Sequence, residues 1–382
     1  DHPGLVYIFS AMERCTAFKP WHDKSTGRTT LKVTDGKCLH YYFYFIDKEL
    51  GLCYLRVPTW APFRLQFYFN GHNWLARQLN DNGFAFNLVD NAFIDISDFE
   101  QAQHIADSFN VRRLHRILDR YASMCCPVVK QFRAGVEWTI MQIEYATDIV
   151  FRNRESLHRL YEPLIRTAVN AIKADDVARF LGRKQVHGNF NGELGTNFGT
   201  RIEGTRLKHH MARSSLKMYD KHGLVLRLEA ASNDVSFFSH YRTVIHRDGV
   251  GRSMKVAPVL KSIYSLGVMA ELLGAANRRY EAFLCALDQP TVNLGQLHKI
   301  ARPVRNSGRS YRGFNLFHGI DLDLLISLAR GEHAITGLRN RDIRRHLGLS
   351  GAQVSRLLKR LRLHGLLKKV PRRHKYYLTA LG

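Results

Sequence analysis

Acid is what this sequence has least of for its size. Its 33 Asp plus Glu face 57 Lys plus Arg, leaving a formal charge of +24 and a pI near 10.0. Such an imbalance is foreign to an ordinary small-molecule enzyme and points to a polyanionic partner. Cysteine is also sparse: Cys15, Cys38, Cys53, Cys125, Cys126 and Cys285 have no CxxC spacing, which excludes a zinc knuckle and a thioredoxin-like pair. Reduced, mostly buried thiols in a cytoplasmic setting are the expectation. No apolar run reaches the roughly 18 residues of a membrane span, and no signal peptide is visible. Nor is there a long amphipathic helix with a bulky apolar face, so a membrane partner is not expected. A Walker A loop, a dinucleotide fingerprint, HExxH, a serine or cysteine triad and an internal repeat are all missing. The chain starts at Asp1 rather than Met and stops at Gly382 directly after its last expected strand, which reads as a fragment or processed chain.

With 382 residues, 45% of them apolar, the chain can hold two or three domains and a full core. The N-terminal part reads as an antiparallel meander of aromatic and β-branched runs at 5–9, 39–46, 52–57 and 63–69, followed by a helix over 74–79. The aromatics of 41–45 and 60–69, with Arg56 and Arg64, could stack single-stranded nucleic acid; core packing is the commoner use of such residues. Helices are expected over 99–109, 111–124, 136–151, 154–173 and 175–181. On the third of these, Glu144 and Asp148 lie four apart and could share a metal, although a solvated acidic face is the more frequent outcome.

Residues 182–199, rich in Gly and Asn, read as a loop. Strands follow at 200–210, 214–219 and 224–230, the last two joined by Asp220-Lys-His-Gly223. Period-2 alternation gathers Lys217, Tyr219, Arg227 and Glu229 on one face, with Glu203 if its strand faces the same way and His209 and His210 near the edge. Such a surface holds the ingredients of DNA strand cleavage: Tyr219 as nucleophile, Lys217 for the phosphate, and Glu203, His209 and Glu229 as ligands for Mg²⁺ or Mn²⁺. Cross-strand ion pairs on a solvated sheet explain the same residues. The run faintly resembles the paired strands of rolling-circle replication initiators, which implies a metal-dependent nickase of a mobile element; the His-hydrophobic-His motif of that family is absent. A helix over 264–287, a short one over 294–300 and a basic linker over 301–319 come next.

The C-terminal run is the most informative. Asn340-Arg-Asp-Ile-Arg-Arg-His-Leu347 reads as a short helix closed by Gly348, and Ser350 caps a second helix with Val354, Leu357, Leu358 and Leu361 as its apolar stripe. Two β-rich runs, 366–370 and 375–379, flank the basic tip Pro371-Arg-Arg-His374. From residue 321 onward, 14 Lys plus Arg stand against 4 Asp plus Glu. This order of elements resembles the winged-helix DNA-binding domain of MarR-type regulators. Most of the chain, notably 39–79, 201–242 and 310–381, also resembles a bacterial group of uncharacterised winged-helix-containing proteins. The resemblance implies a helix laid in the major groove of double-stranded DNA, Ser350 at its N-terminus, Gln353 and Arg356 at base edges, and Lys359, Arg360, Arg372, Arg373 and Lys375 on phosphates.

The expected fold is therefore α+β: a mixed antiparallel-sheet and helix body followed by a C-terminal winged helix-turn-helix domain. Its divisions are an aromatic-rich region 1–125, a central helical and β-hairpin region 126–300, the linker 301–319 and the winged helix 320–382. The leading reading is a cytoplasmic DNA-binding protein. Metal-dependent DNA cleavage and binding of RNA or single-stranded DNA are the alternatives, and no cofactor other than a divalent metal is implied. The sequence sets no oligomeric state.

Overall fold

The structure, a computed structural model, describes residues 3–60, 63–133, 135–201, 204–245, 251–286, 299–315, 319–370, 374–379 and 381. It combines helices with antiparallel sheets, the α+β class implied by the sequence. Two compact units divide it, residues 1–139 with 262–264 and residues 140–261 with 265–382. The first unit thus runs past the expected boundary at 125, and the C-terminal segment shares the second unit with the central region. Among the described residues no helix is long and apolar enough to cross a membrane.

In the first unit, β1 (Gly4–Asp23), β2 (Arg28–Asp47), β3 (Gly51–Pro58) and β4 (Gln66–Phe69) form a four-stranded antiparallel meander in that order. The expected strands 5–9 and 39–46 are only the apolar ends of two 20-residue strands. The apolar start of β1, residues 4–10, is itself exposed, and the distal halves are largely exposed and mix polar with apolar residues, so they carry no alternating signal; pairing along the whole hairpin holds them instead. Next come α1 (Gly71–Asp81), capped by Asn70, the hairpin β5 (Phe86–Val89) and β6 (Ala92–Ile96), α2 (Phe99–Asp107) and α3 (Val111–Cys125). Helix α3 buries Leu114, Ile117, Leu118 and Tyr121, and Tyr121 packs on Phe45 and Phe67 at 4.4 and 5.7 Å between ring centroids.

The second unit is built on a five-stranded antiparallel sheet. Its elements begin with β7 (Ile143–Val150), α4 (Arg154–Ala171), α5 (Ala174–Phe180), β8 (Leu194–Arg201), β9 (Gly204–Met211), β10 (Ser214–Lys221) and β11 (Val225–Ser232), and the spatial order is β7-β11-β10-β9-β8. The expected helix 136–151 is corrected here. Ile143-Glu-Tyr-Ala-Thr-Asp-Ile-Val150 alternates in character and pairs with β11 from Ile143↔Ser232 to Val150↔Val225. A period of two, with β-branched residues, outweighs the few matches to a helical spacing. The Gly-rich stretch 182–199 is likewise only partly loop, since β8 starts within it. Gly195 fits there because the His210 ring lies across it: a Cβ at 195 would sit 2.8 Å from His210 Cε1. A separate hairpin, β12 (Ser239–Ile245) with β13 (Arg252–Pro258), precedes α6 (Leu266–Ala286).

One face of the sheet presents Leu207, Leu216, Met218, Leu226 and Leu228 to Leu157 and Ile165 of α4, Val177 and Phe180 of α5, and Met269, Leu273 and Tyr280 of α6. Each fully buried side chain of this kind contributes about 1.5–3 kcal/mol. Helix α6 is keyed to the sheet by Asn277, whose Nδ2 donates to the Tyr145 and Leu228 carbonyls at 3.0 and 3.1 Å and to Thr147 Oγ1 at 3.1 Å.

The C-terminal module contains the hairpin β14 (Val304–Asn306) and β15 (Arg309–Tyr311), then α7 (Gly319–Ala329), α8 (Gly331–Ala334), α9 (Asn340–Leu347), α10 (Gly351–Leu363), β16 (Leu367–Val370) and β17 (Lys375–Leu378). The segment 301–319, expected as a linker, is corrected in its described part: 304–311 form a paired hairpin, and Phe314 enters the module core with Leu324, Leu338, Ile343, Val354, Leu358, Leu361 and Leu378. Most of the expected helix 294–300 lies outside the described residues. The module is fastened to the sheet's helical layer. Ala334, Ile335, Val370 and Tyr377 join the larger core, Lys368 pairs with Asp175, and Lys173 Nζ donates to the Thr379 carbonyl at 3.1 Å.

Candidate nucleic-acid interface

Helix α9 ends where Gly348 takes φ 63°, and α10 begins two residues later with Ser350 as its cap. The Ser350 amide donates to Gln353 Oε1 at 2.9 Å and the Gln353 amide donates to Ser350 Oγ at 3.4 Å, a reciprocal box that satisfies two amides at the helix start. Asn340 ties the two helices, its Nδ2 donating to the Gly351 carbonyl at 3.0 Å and to Ser355 Oγ at 2.9 Å. With Val354, Leu358 and Leu361 buried, α10 leaves Ala352, Gln353, Ser355, Arg356, Lys359 and Arg362 exposed.

The expected contact residues divide on this geometry. Arg356 and Lys359 share the exposed face, and the Lys359 ammonium lies 5.4 Å from the centre of the Tyr311 ring of β15. Gln353 is exposed but spends its carbonyl oxygen on the cap, and Ser350 serves that cap too. Lys375 is half-buried and donates to the Thr336 carbonyl at 3.2 Å. Arg372 and Arg373 lie outside the described residues.

Arg360 is the correction. It is 7% exposed, its guanidinium meets both Asp321 oxygens at 3.0 and 2.7 Å, and it donates to the Arg312 and Gly313 carbonyls at 3.1 and 3.0 Å while lying over the Phe314 ring. Burial raises the Asp321 pKa, but the Arg360 hydrogen bonds, the Asn315 amide and the nearby charges of Arg360 and Arg312 outweigh it, and the carboxyl ends below its usual range. A side chain held this way fastens α10 to the preceding chain and presents nothing to a phosphate. Sequence reasoning passed over Arg341, Arg344 and Arg345 of α9, Arg362 of α10, and Arg305 and Arg309 of the β14–β15 hairpin, all exposed. The first three share their helix with buried Ile343, and spacing from Ile343 alone marks them as outward.

The polar face of the five-stranded sheet assembles much as its alternation suggests. Lys217 Nζ donates to Glu229 and, at 3.0 Å, to Glu144; the Tyr219 hydroxyl donates to Glu229; and Arg227 meets Asp148 through Nε and a terminal nitrogen, each at 2.6 Å. Glu144 and Asp148, placed on a helix by sequence, occupy β7 and serve these cations. Burial and then Glu229 push the Tyr219 phenol far above its usual pKa, while Lys217 is held above its own because its two carboxylates outweigh burial. The three expected metal ligands do not gather. Glu203 lies outside the described residues, and the register Leu216↔His209 against Lys217↔Glu229 sets His209 and Glu229 on opposite faces. His209 is fully buried, 3.1 Å from both Thr196 Oγ1 and the Tyr280 hydroxyl, and burial lowers its pKa to about 3. His210, by contrast, is on the polar face beside Lys208 and Arg206. What this face does chemically is pair buried charges across strands.

A third surface belongs to the N-terminal meander. Tyr7, Phe9, Tyr42, Tyr44, Tyr54 and Tyr68 alternate with the residues facing α3 and so share the opposite face; neighbouring rings are 5.2 to 6.3 Å apart. Tyr7 and Tyr68 are 60% and 50% exposed. Arg56 lies on this face, but its Nε donates to Glu13 at 2.8 Å and to the Tyr42 hydroxyl at 3.0 Å, whereas Arg64 is exposed. Comparison with protein-family models, with curated proteins and with solved structures finds no match for this chain.

Proposed function

We propose that the protein binds duplex DNA through its C-terminal module, read as a winged helix with α10 in the major groove and β16–β17 as the wing. The observation that carries this is the exposed face of α10, where Arg356 and Lys359 stand outward from a capped helix whose opposite stripe is buried. A helix of this width fits the groove, and its outward side chains reach base edges and phosphates. The surplus charge of +24 supports the same partner. The proposal places the protein in the cytoplasm, where its six free thiols stay reduced. Titration of a labelled duplex pool at several salt concentrations tests it: retention at low salt that weakens steeply as salt rises is expected, and no retention at low salt overturns it.

The aromatic face of the meander favours a second reading, binding of single-stranded DNA or RNA by stacking. Bases stacked on such rings contribute about 1–3 kcal/mol each. Tyr7→Ala with Tyr68→Ala should weaken single-strand binding and leave duplex binding unchanged; equal single-strand binding by the variant rejects this role.

A further inference from the structure

Three side chains of the C-terminal module converge where α8 meets the last turn of α9. The donor atoms of Glu332, His333 and His346 all lie within 4.8 Å of one another. Glu332 Oε1 is 3.3 Å from His333 Nε2 and 3.5 Å from His346 Nε2. Ligands of a tetrahedral zinc ion, at roughly 2.0–2.1 Å from the metal, stand about 3.3–3.4 Å apart, so two edges of the set already have the required length.

A second observation comes from His333 itself. The residue is 8% exposed, and its Nε2 is buried without a hydrogen-bond partner although it faces the Glu332 carboxylate. A buried ring nitrogen left this way is destabilising, and coordination would supply the missing partner. We infer that Glu332, His333 and His346 form a three-ligand site for a divalent transition metal of the zinc class. Two imidazoles and one carboxylate suit zinc and its neighbours and disfavour magnesium and calcium, which take oxygen ligands. Three protein ligands leave a fourth position for water or an outside donor. The site joins α8 to α9, the helix that Asn340 ties to α10, so a bound metal would brace α9.

Arg330 opposes it. One terminal nitrogen of its guanidinium is 2.8 Å from His346 Nδ1 and Nε2, and its Nε is 3.8 Å from Glu332 Oε1, so a positive charge already rests on two of the three ligands. Metal entry requires this side chain to swing away, and removing it should tighten binding.

Equilibrium dialysis of the EDTA-treated full chain against Zn²⁺, and separately Co²⁺, tests the proposal. Because the chain has 19 His and 6 Cys, the readout is the difference between variants. Wild type should hold one more equivalent than His346→Ala and than Glu332→Gln, both altered at exposed positions. Arg330→Ala should bind that equivalent at least several-fold more tightly, and Co²⁺ should give the visible absorption of a four-coordinate site in wild type and in Arg330→Ala but in neither ligand variant. Equal stoichiometry in wild type and both ligand variants overturns the proposal, as does an Arg330→Ala chain that binds more weakly. The site does not depend on DNA binding, and either result is read without DNA.

Discussion

Arg360 offers the sharpest separation between the charge pattern of α10 and its structure. Replacing it with Ala removes the buried partner of Asp321, which is 0% exposed, leaves that carboxylate only the more exposed Arg312 at 3.2 Å and the Asn315 amide at 3.1 Å, and unpairs the Arg312 and Gly313 carbonyls. Breaking a buried pair by removing one side costs about 3–5 kcal/mol where the remaining charge is uncompensated, and with Arg312 still in place the low end, about 3 kcal/mol, is expected. That is a large fraction of the roughly 5–15 kcal/mol that stabilises a typical domain. Urea unfolding with amide hydrogen exchange along α10 would show the loss, and Arg356→Ala, at an exposed position, should stay within about 0.5 kcal/mol of wild type. Replacing both partners, Arg360→Met with Asp321→Leu, should recover much of the deficit because no buried charge remains unpaired. The Asp321 carboxyl, held below its usual range, adds stability that is complete above the unfolded pKa of about 3.9 and is lost as pH falls through the folded value. An Arg360→Ala chain with unchanged exchange protection but weaker, less salt-dependent DNA binding would refute this reasoning and return Arg360 to the phosphates.

Other expectations concern the body. His209 is neutral in the fold, with a pKa near 3 against about 6.5 unfolded, so stability is intact above pH ~6.5 and declines as pH falls toward 3 by up to about 1.4 kcal/mol per unit; thermal melts against pH should show this and His209→Gln should flatten it. Gly337→Ala should lower the melting temperature far more than Gly308→Ala. Both have positive φ, +70° and +74°, but a Cβ at 337 would sit 2.8 Å from the Tyr376 carbonyl oxygen, while at 308 nothing lies within 4 Å. Tyr219→Phe should cost about 1.5–3 kcal/mol by deleting a hydrogen bond to a carboxylate. Supercoiled plasmid with Mg²⁺ or Mn²⁺ should give no covalent protein–DNA adduct, because burial beside Glu229 keeps that phenol protonated; an adduct lost in Tyr219→Phe would contradict this.

The C-terminal module was the most legible part of the sequence because its signals are local. Gly348, Ser350 and the stripe Val354, Leu358, Leu361 specify turn, cap and buried face within a dozen residues. Arg360 was misread for a geometric reason: it lies about 60° around the helix from Leu357, at the border of the stripe, and only the return of Arg312 to Phe314 decides that it is covered. The strand β7 was misassigned although Glu144 and Asp148 are flanked by Ile143, Tyr145 and Ile149, since its partner β11 is about 80 residues away in the chain and no local signal announces the pairing. The same distance hid the roles of Glu144 and Asp148 as counter-ions to Lys217 and Arg227. His209, expected near the edge of the polar surface, lies on the apolar face instead, because the register of β9 rests on cross-strand pairing and a shift of one residue exchanges the two faces.

The central claim is tested most directly by the salt slope of duplex binding in wild type and in the Arg356→Ala, Lys359→Ala double variant. If both side chains neutralise phosphates, the slope of log K against log salt should shrink by about 1.8, with binding weakened at every salt concentration. If only Lys359 contacts a phosphate and Arg356 reads a base, the slope shrinks by about 0.9 and sequence preference relaxes. An unchanged slope and affinity would contradict the account, because the exposed face of α10 would then lie away from the DNA.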